Sequence, residues 1–151
     1  MDIQRFAQKG MVINKERMLV IRYGSGKYQN TKLAGKFALP GGKVEMGQTV
    51  DESIVSEIEE ETGVTCLPGL PIYCWNWEYQ KDQDFVQINA VIRVCRYVGG
   101  ELIERREDKE STIEEIRWMG IADLGNLDWV FDEKPGVDEF LKRKDFYLKD
   151  M

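Results

Sequence analysis

The chain has 151 residues, of which 42% are apolar and 32% are charged, an ordinary globular composition with enough apolar surface for one hydrophobic core. The formal net charge is −6, and an acidic surface repels phosphate backbones, so a nucleic-acid polymer is an unfavourable partner. No apolar run reaches the roughly 18 residues that a membrane-spanning helix needs, and residues 1–10 lack the apolar stretch of a secretory signal. We therefore predict one domain over residues 1–151, with no membrane partner and a cytoplasmic location.

The cysteines and the missing histidine exclude several kinds of chemistry. The three cysteines form no C-x-x-C pair, and their odd number does not suggest a disulfide framework. The chain contains no histidine, which excludes Ser-His-Asp and Cys-His catalysis, histidine-ligated zinc and a histidine general base. Catalysis by this chain therefore has to use carboxylates, cations and backbone groups.

The first part of the chain reads as strands and loops. Alternation of apolar and polar residues predicts strands at 5–13 and 18–23, joined by a turn at 14–15. Residues 24–36 are polar with three glycines, which indicates a loop, and a short apolar segment at 37–39 stops at a Pro-Gly-Gly sequence.

The clearest helix follows this loop. Thr49 and Glu52 have the spacing of a capping box, and Gly63 is a residue type that commonly ends a helix. The apolar residues Val50, Ile54 and Ile58 recur every four positions, so they predict the stripe that the helix buries.

The second part of the chain alternates strands with turns. Strands are predicted at 64–67, 72–79, 85–98 and 116–119, with turns at 68–71 and 81–84 and a charged loop at 104–111. A C-terminal helix at 136–144 is expected to bury Val137, Phe140 and Leu141. Hairpin signals beside strand-helix-strand signals predict an α/β fold with a mixed central sheet.

Three glutamates on the predicted helix indicate a cation site. Glu57, Glu60 and Glu61 stand at i, i+3 and i+4, so their carboxylates span roughly 100° of one helix face. Carboxylates at such short distances repel one another unless a cation neutralises them. Hard oxygen ligands of this kind suit Mg²⁺ or Mn²⁺. Gly41 and Gly42 supply a backbone that a metal or a phosphate can approach closely. From spacing alone, an acidic face exposed to solvent stays open as the simpler interpretation.

Residues 42–64 resemble the Nudix box, which reads Gly, five residues, Glu, seven residues, then Arg-Glu-apolar-x-Glu-Glu-x-Gly-apolar. Gly42 fills the first position, and residues 57–64 match the C-terminal half. The resemblance implies an α/β/α sandwich and hydrolysis, by water, of a nucleoside diphosphate linked to another moiety. A nucleoside triphosphate, a nucleotide sugar and an ADP-ribose-type compound all remain open as substrates.

The same resemblance implies roles for individual residues. Glu57, Glu60 and Glu61 correspond to ligands of Mg²⁺ or Mn²⁺, with the Gly41 carbonyl as a fourth contact, and Glu57 can also serve as the base. Two positions depart from the family pattern: Gln48 stands in place of Glu, and Ser56 in place of Arg. We interpret them as a neutral pair that hydrogen-bond each other in place of an ion pair.

These two departures also suggest an alternative function, a Nudix-fold module that binds nucleotides or regulates, with weak or no catalysis. The intact glutamate triplet favours the enzyme, because a site without catalysis has no need for a cluster of mutually repelling charges.

Weaker signals extend the predicted site. Members of the family usually take one more carboxylate from a distant loop, and Glu114 and then Glu110 are the candidates here. The groups predicted to hold the phosphates of a substrate are the Gly42 backbone and the cations of Arg22, Lys36 and Lys43.

Aromatic residues alternate along the predicted strand at 72–79. Trp75, Trp77 and Tyr79 therefore share one face and can form a stacking wall for a nucleobase. A core layer or a dimer contact is the alternative, so the chain is expected to be a monomer or a homodimer.

Overall fold

The computed structural model of the chain describes residues 1–24, 32–104 and 112–149. Over these ranges the strands are β1 (Asp2–Asn14), β2 (Arg17–Tyr23), β3 (Phe37–Ala38), β4 (Gly41–Lys43), β5 (Val64–Lys81), β6 (Asp84–Gly100) and β7 (Ile113–Gly120). The helices are α1 (Val50–Thr62), α2 (Lys134–Lys142) and α3 (Lys144–Leu148), and a 3-10 helix, Ile121–Asn126, follows β7. Among the helices in these ranges, none is long and apolar enough to cross a membrane.

The strands form one mixed sheet in the order β3-β2-β1-β6-β5, with β4 beside β1 and β7 beside β2. The β1–β6 pair is parallel and the other pairs are antiparallel. This mixed sheet with helices confirms the predicted α/β class. The strands β1 and β2 pair only next to the turn that joins them, at Ile13–Met18 and Asn14–Arg17. Nearer to its N-terminus, β1 pairs with β4 instead of β2. The sheet therefore opens between β1 and β2.

The two long helices cover opposite faces of this sheet. On one face, Ile54 and Ile58 of α1 pack with Val12 of β1. On the other face, Phe140 of α2 packs with Met11. Because Met11 and Val12 are neighbours in a strand, their side chains point to opposite faces. The result is the three-layered α/β/α arrangement that the resemblance implied.

The caps of α1 are those that the sequence predicts. The Thr49 hydroxyl accepts a hydrogen bond from the Glu52 amide at 3.1 Å, and the Glu52 carboxylate accepts one from the Thr49 amide at 3.3 Å. Gly63 ends the helix in the left-handed conformation, with φ at 83°. The predicted burial of Val50 is wrong, because this first residue of α1 lies at the open end of the helix, where 47% of it is exposed.

Removing the N-cap tests how far local interactions stabilise α1. We expect Thr49→Ala to lower the free energy of unfolding by about 1 kcal/mol, because the first-turn amides lose their side-chain acceptor. Urea unfolding of both proteins measures the difference. Glu59→Ala changes an exposed mid-helix position and should stay within about 0.5 kcal/mol of the parent. An equal effect of the two changes would contradict the role of the cap.

The predicted turn at 68–71 is wrong, because β5 continues through it. The pairing with β6 shifts register between Pro68 and Pro71, so the Pro-Gly-Leu-Pro sequence forms an irregularity in the strand. The Arg93 guanidinium donates a hydrogen bond to the Gly69 carbonyl at 3.0 Å and ties this irregularity to β6. Proline is tolerated there because β5 is an edge strand of the sheet.

The C-terminal region also differs from the prediction. The helix predicted at 136–144 begins earlier, at Lys134, and breaks at Arg143 between α2 and α3. Val137 and Phe140 are buried as predicted, whereas Leu141 packs against the core and is only partly buried.

Candidate active site

A short segment, Leu39-Pro40-Gly41, lies where the sheet opens and joins both helical layers. The Gly41 amide donates a hydrogen bond to Glu61 of α1 at 2.8 Å. The Leu39 amide donates one to Glu133, which precedes α2, also at 2.8 Å. Gly41 has φ at 152°, and a Cβ there would collide with the Gln8 carbonyl, so only glycine fits. The segment therefore places two carboxylates from different layers on either side of one proline.

Gly42 provides the space in which the Glu57 carboxylate lies. A Cβ on Gly42 would stand 2.5 Å from Oε2 of Glu57, closer than two such atoms can approach. Burial raises the pKa of Glu57, and the negative charges of Glu60 and Glu45 raise it further, while Lys9 lowers it. The Glu57 carboxylate is therefore held near like charges at a place where a cation would relieve the repulsion.

The two departures from the family pattern act separately in the structure. The Gln48 side chain accepts a hydrogen bond from the Glu45 amide at 3.1 Å. The Ser56 hydroxyl donates one to Glu60 at 3.4 Å, one helical turn along α1. The interpretation of Gln48 and Ser56 as a mutually bonded pair is therefore wrong. Gln48 closes the tight turn around Gly47, and Ser56 supports a member of the glutamate triplet.

The donor set fits a hard divalent cation in its chemistry. Glu57, Glu60 and Glu61 lie on one helix next to a glycine backbone, and carboxylate and carbonyl oxygens are the ligands that Mg²⁺ and Mn²⁺ prefer. In the part of the chain that the structure describes, no three acidic side chains are gathered closely enough to hold an ion as they stand. Binding would therefore require these side chains to move towards a common point.

Sequence reasoning missed three residues at this opening. Lys9 is paired in register with Gly41, and its ammonium interacts with the Tyr23 side chain. Burial acts to lower the pKa of Lys9, but the negative charges of Glu133 and Glu61 and the Tyr23 hydroxyl raise it overall. Glu133 is only 4% exposed, and burial raises its pKa while Lys9 lowers it. Lys9 therefore stays a cation between carboxylates from two layers.

One of these residues left a signal in the sequence. Lys9 has the same parity along β1 as Ala7 and Met11, so strand alternation places it on an inward-facing position. A charged residue at such a position needs a partner to be stable. The partner itself, Glu133, carries no local signal.

Arg22 and its neighbours form a separate ion-paired group between β2 and β7. The Arg22 guanidinium donates to Glu115 at 2.9 Å and to Glu114 at 3.1 Å. Arg117 adds a second cation to Glu115 at 3.2 Å. The candidate Glu110 lies outside the described residues.

The two predicted phosphate-binding lysines have different surroundings. The Lys36 ammonium contacts both carboxylate oxygens of Asp128, at 2.8 and 2.9 Å. Lys43 is exposed on β4, next to the glycines of the box. Of the two lysines, Lys43 is therefore the better placed to meet a ligand from solvent.

The aromatic residues of β5 stack along one face. Trp75 lies between Tyr73 and Trp77, with ring centroids 5.9 and 6.1 Å apart. Trp75 packs against the core, and its indole nitrogen is buried without a hydrogen-bond partner among the described residues. Trp77 and Tyr79 are each 38% exposed. The row is thus partly a core layer and partly an accessible aromatic surface.

Comparison with known proteins assigns this chain to a family. The NUDIX domain model matches residues 5–142. An ADP-ribose pyrophosphatase of Methanocaldococcus jannaschii is 29% identical over 139 residues, which cover 91% of this chain and 73% of that protein. The 8-oxo-dGTP diphosphatase of Escherichia coli is 34% identical over 56 residues, which cover 37% of this chain and 41% of that protein.

The fold is also similar to that of solved structures. The crystal structure of a MutT NUDIX hydrolase from Burkholderia pseudomallei superposes with a TM-score of 0.66 at 19% identity, covering 90% of this chain and 97% of that one. Because the family model matches most of the sequence and the fold agrees with it, the chain belongs to the NUDIX family, as residues 42–64 predicted.

Proposed function

We propose that this protein is a divalent-cation-dependent pyrophosphohydrolase that cleaves a nucleoside diphosphate linked to another moiety. The observation that carries the proposal is the position of Glu57, held against Gly42 beside Glu60 in a chain of the NUDIX family. Two relatives named as a pyrophosphatase and a diphosphatase support the same reaction class. ADP-ribose and 8-oxo-dGTP are therefore the first substrates to test.

Four groups of the chain would hold the cation, namely the carboxylates of Glu57, Glu60 and Glu61 and the Gly41 carbonyl. A divalent cation supplies charge neutralisation at phosphate oxygens and lowers the pKa of water. Glu57 is the first candidate for the group that accepts the proton of the attacking water. Glu114 is the second, and it would have to leave its ion pair with Arg22 to reach the attacking water.

Other residues would orient the substrate. The Gly42 backbone and Lys43 lie beside the proposed cation site and suit the diphosphate, since an ammonium forms charge-assisted hydrogen bonds to phosphate oxygens. Arg22 and Lys36 are engaged by carboxylates and would have to exchange these partners to bind phosphate. The exposed part of the Trp75–Trp77 row suits stacking of a nucleobase.

Dependence on added cation is the first test of this function. With Mg²⁺ or Mn²⁺, we expect hydrolysis of at least one compound in a panel of ADP-ribose, nucleotide sugars and ordinary or oxidised nucleoside triphosphates. Excess chelator should stop the reaction, because the chain offers no histidine-based nucleophile or base. Chromatography of the products locates the cleaved bond, with ADP-ribose giving AMP and ribose 5-phosphate. Undiminished turnover in chelator would contradict the cation mechanism, and binding of the whole panel without turnover would favour a binding module.

A further inference from the structure

Four titratable side chains from four parts of the fold meet behind the proposed cation site. We call Lys9, Tyr23, Glu61 and Glu133 the Lys9 cluster. Lys9 comes from β1, Tyr23 from β2, Glu61 from α1, and Glu133 from the residue before α2. One cation and two carboxylates thus share a partly buried place that includes one member of the glutamate triplet, Glu61.

The backbone fixes the separation of the charges in the Lys9 cluster. Glu133 and Glu61 are bound to the amides of Leu39 and Gly41, which flank Pro40. The Pro40 carbonyl accepts a hydrogen bond from the Gly10 amide at 2.8 Å, and this contact holds the segment against β1. Lys9 precedes Gly10 and is paired with Gly41, and its ammonium interacts electrostatically with both carboxylates.

The charge of Lys9 acts on the ligands that are proposed for the cation. Lys9 attracts Glu61 and also stabilises the ionised form of Glu57. The fixed positive charge of Lys9 next to these oxygens repels a divalent cation that binds to them. Partial burial keeps this electrostatic repulsion strong. Glu133 reduces that repulsion, because its carboxylate offsets the charge of Lys9.

We propose that Lys9 and Glu133 are positioning residues that set how tightly the site holds its divalent cation. Lys9 weakens binding of the divalent cation and keeps Glu61 in place before the cation arrives. Glu133 raises the affinity for the cation because its negative charge offsets the charge of Lys9. The inference rests on the proposed role of Glu57 and Glu61 as cation ligands.

Removal of the charge of Lys9 and removal of the charge of Glu133 are expected to change the Mn²⁺ affinity in opposite directions. We expect Lys9→Met to tighten Mn²⁺ binding about tenfold and Glu133→Gln to weaken it about tenfold, because each removes one charge near the site. The double variant should return to within about threefold of the parent if the two effects offset each other. Isothermal titration of Mn²⁺ into each folded protein gives the dissociation constants without reference to activity. Glutamine keeps an acceptor for the Leu39 amide, so Glu133→Gln is expected to fold.

Two exposed neighbours of Glu133 provide matched controls. Lys134→Met and Asp132→Asn remove the same charges at positions open to solvent, and both should bind Mn²⁺ like the parent. A merely structural role of Lys9 would instead make Lys9→Met bind Mn²⁺ more weakly. That result, or a Glu133→Gln protein with unchanged affinity, would overturn the inference. A parent protein that binds no Mn²⁺ would contradict the proposed cation site itself.

Discussion

Replacement of Glu57 by glutamine is expected to lower kcat by about 100-fold or more, because cation binding and water activation both depend on this charge. Glutamine keeps the length of the side chain and still fits the space beside Gly42. The loss should therefore come from chemistry and not from repacking. Steady-state rates over a range of Mg²⁺ and Mn²⁺ concentrations measure it, and the concentration of cation needed for half-maximal activity should rise as well.

Stability separates this loss of activity from unfolding. Burial and the charges of Glu60 and Glu45 raise the pKa of Glu57, so ionisation of Glu57 costs folding free energy at any pH above its ordinary pKa. Glutamine removes that cost, and the thermal midpoint in chelator should be equal to that of the parent or higher at neutral pH. As the pH falls below the ordinary pKa, Glu57 is protonated in both states and the advantage should disappear.

Glu59→Gln is the matched control, since this substitution removes the same charge at an exposed position of α1. It should keep the activity of the parent. Equal rates for the parent and both variants would leave α1 as a helix with a solvated acidic face and would rule out the proposed site.

Local interactions explain which elements the sequence predicts well. The two ends of α1 are encoded locally. Thr49 and Glu52 cap its first turn, and Gly63 follows its last turn. The turn at Asp82 is encoded in the same way, between two strands of alternating residues. Such signals can be read from the chain because no distant residue is needed to complete them.

Contacts between distant residues explain the errors. Pro68 and Gly69 have the composition of a turn, yet β6 pairs along this segment and Arg93 binds the Gly69 carbonyl. Tertiary pairing therefore overrides the local preference and turns a predicted loop into an irregular strand. Val50 fits the periodicity of a buried stripe, but α1 extends past the core at this end.

The same distinction holds within the candidate site. Helical spacing places Glu57, Glu60 and Glu61 on one face without reference to the rest of the chain. The electrostatic interaction of Lys9 with Glu133 joins the first strand to the start of α2, so no pattern in the sequence predicts it. Likewise, the ion pair of Arg22 with Glu114 depends on the register of β2 and β7.

The second large effect is expected from Gly42→Ala. The added methyl would stand 2.5 Å from Oε2 and 2.7 Å from Cδ of Glu57, so the carboxylate must leave its place. Because misplacement of a catalytic group by about 1 Å can cost roughly 100-fold in rate, we expect kcat to fall by about that factor. The displaced atoms are the end of a flexible side chain, so the thermal midpoint should change little. Steady-state kinetics and thermal unfolding of the same preparation measure the two effects.

Gly99→Ala is the control for this change. No heavy atom lies within 4 Å of the position that a Cβ on Gly99 would take, so its activity should equal that of the parent. If Gly42→Ala kept full activity, the contact between Gly42 and Glu57 would have no role in the reaction. If it lost activity only together with its folded state, the glycine would serve packing alone. A loss of rate in a protein that still melts like the parent is the result that places Glu57 at the reacting centre, because the methyl group changes the position of this carboxylate and leaves its charge intact.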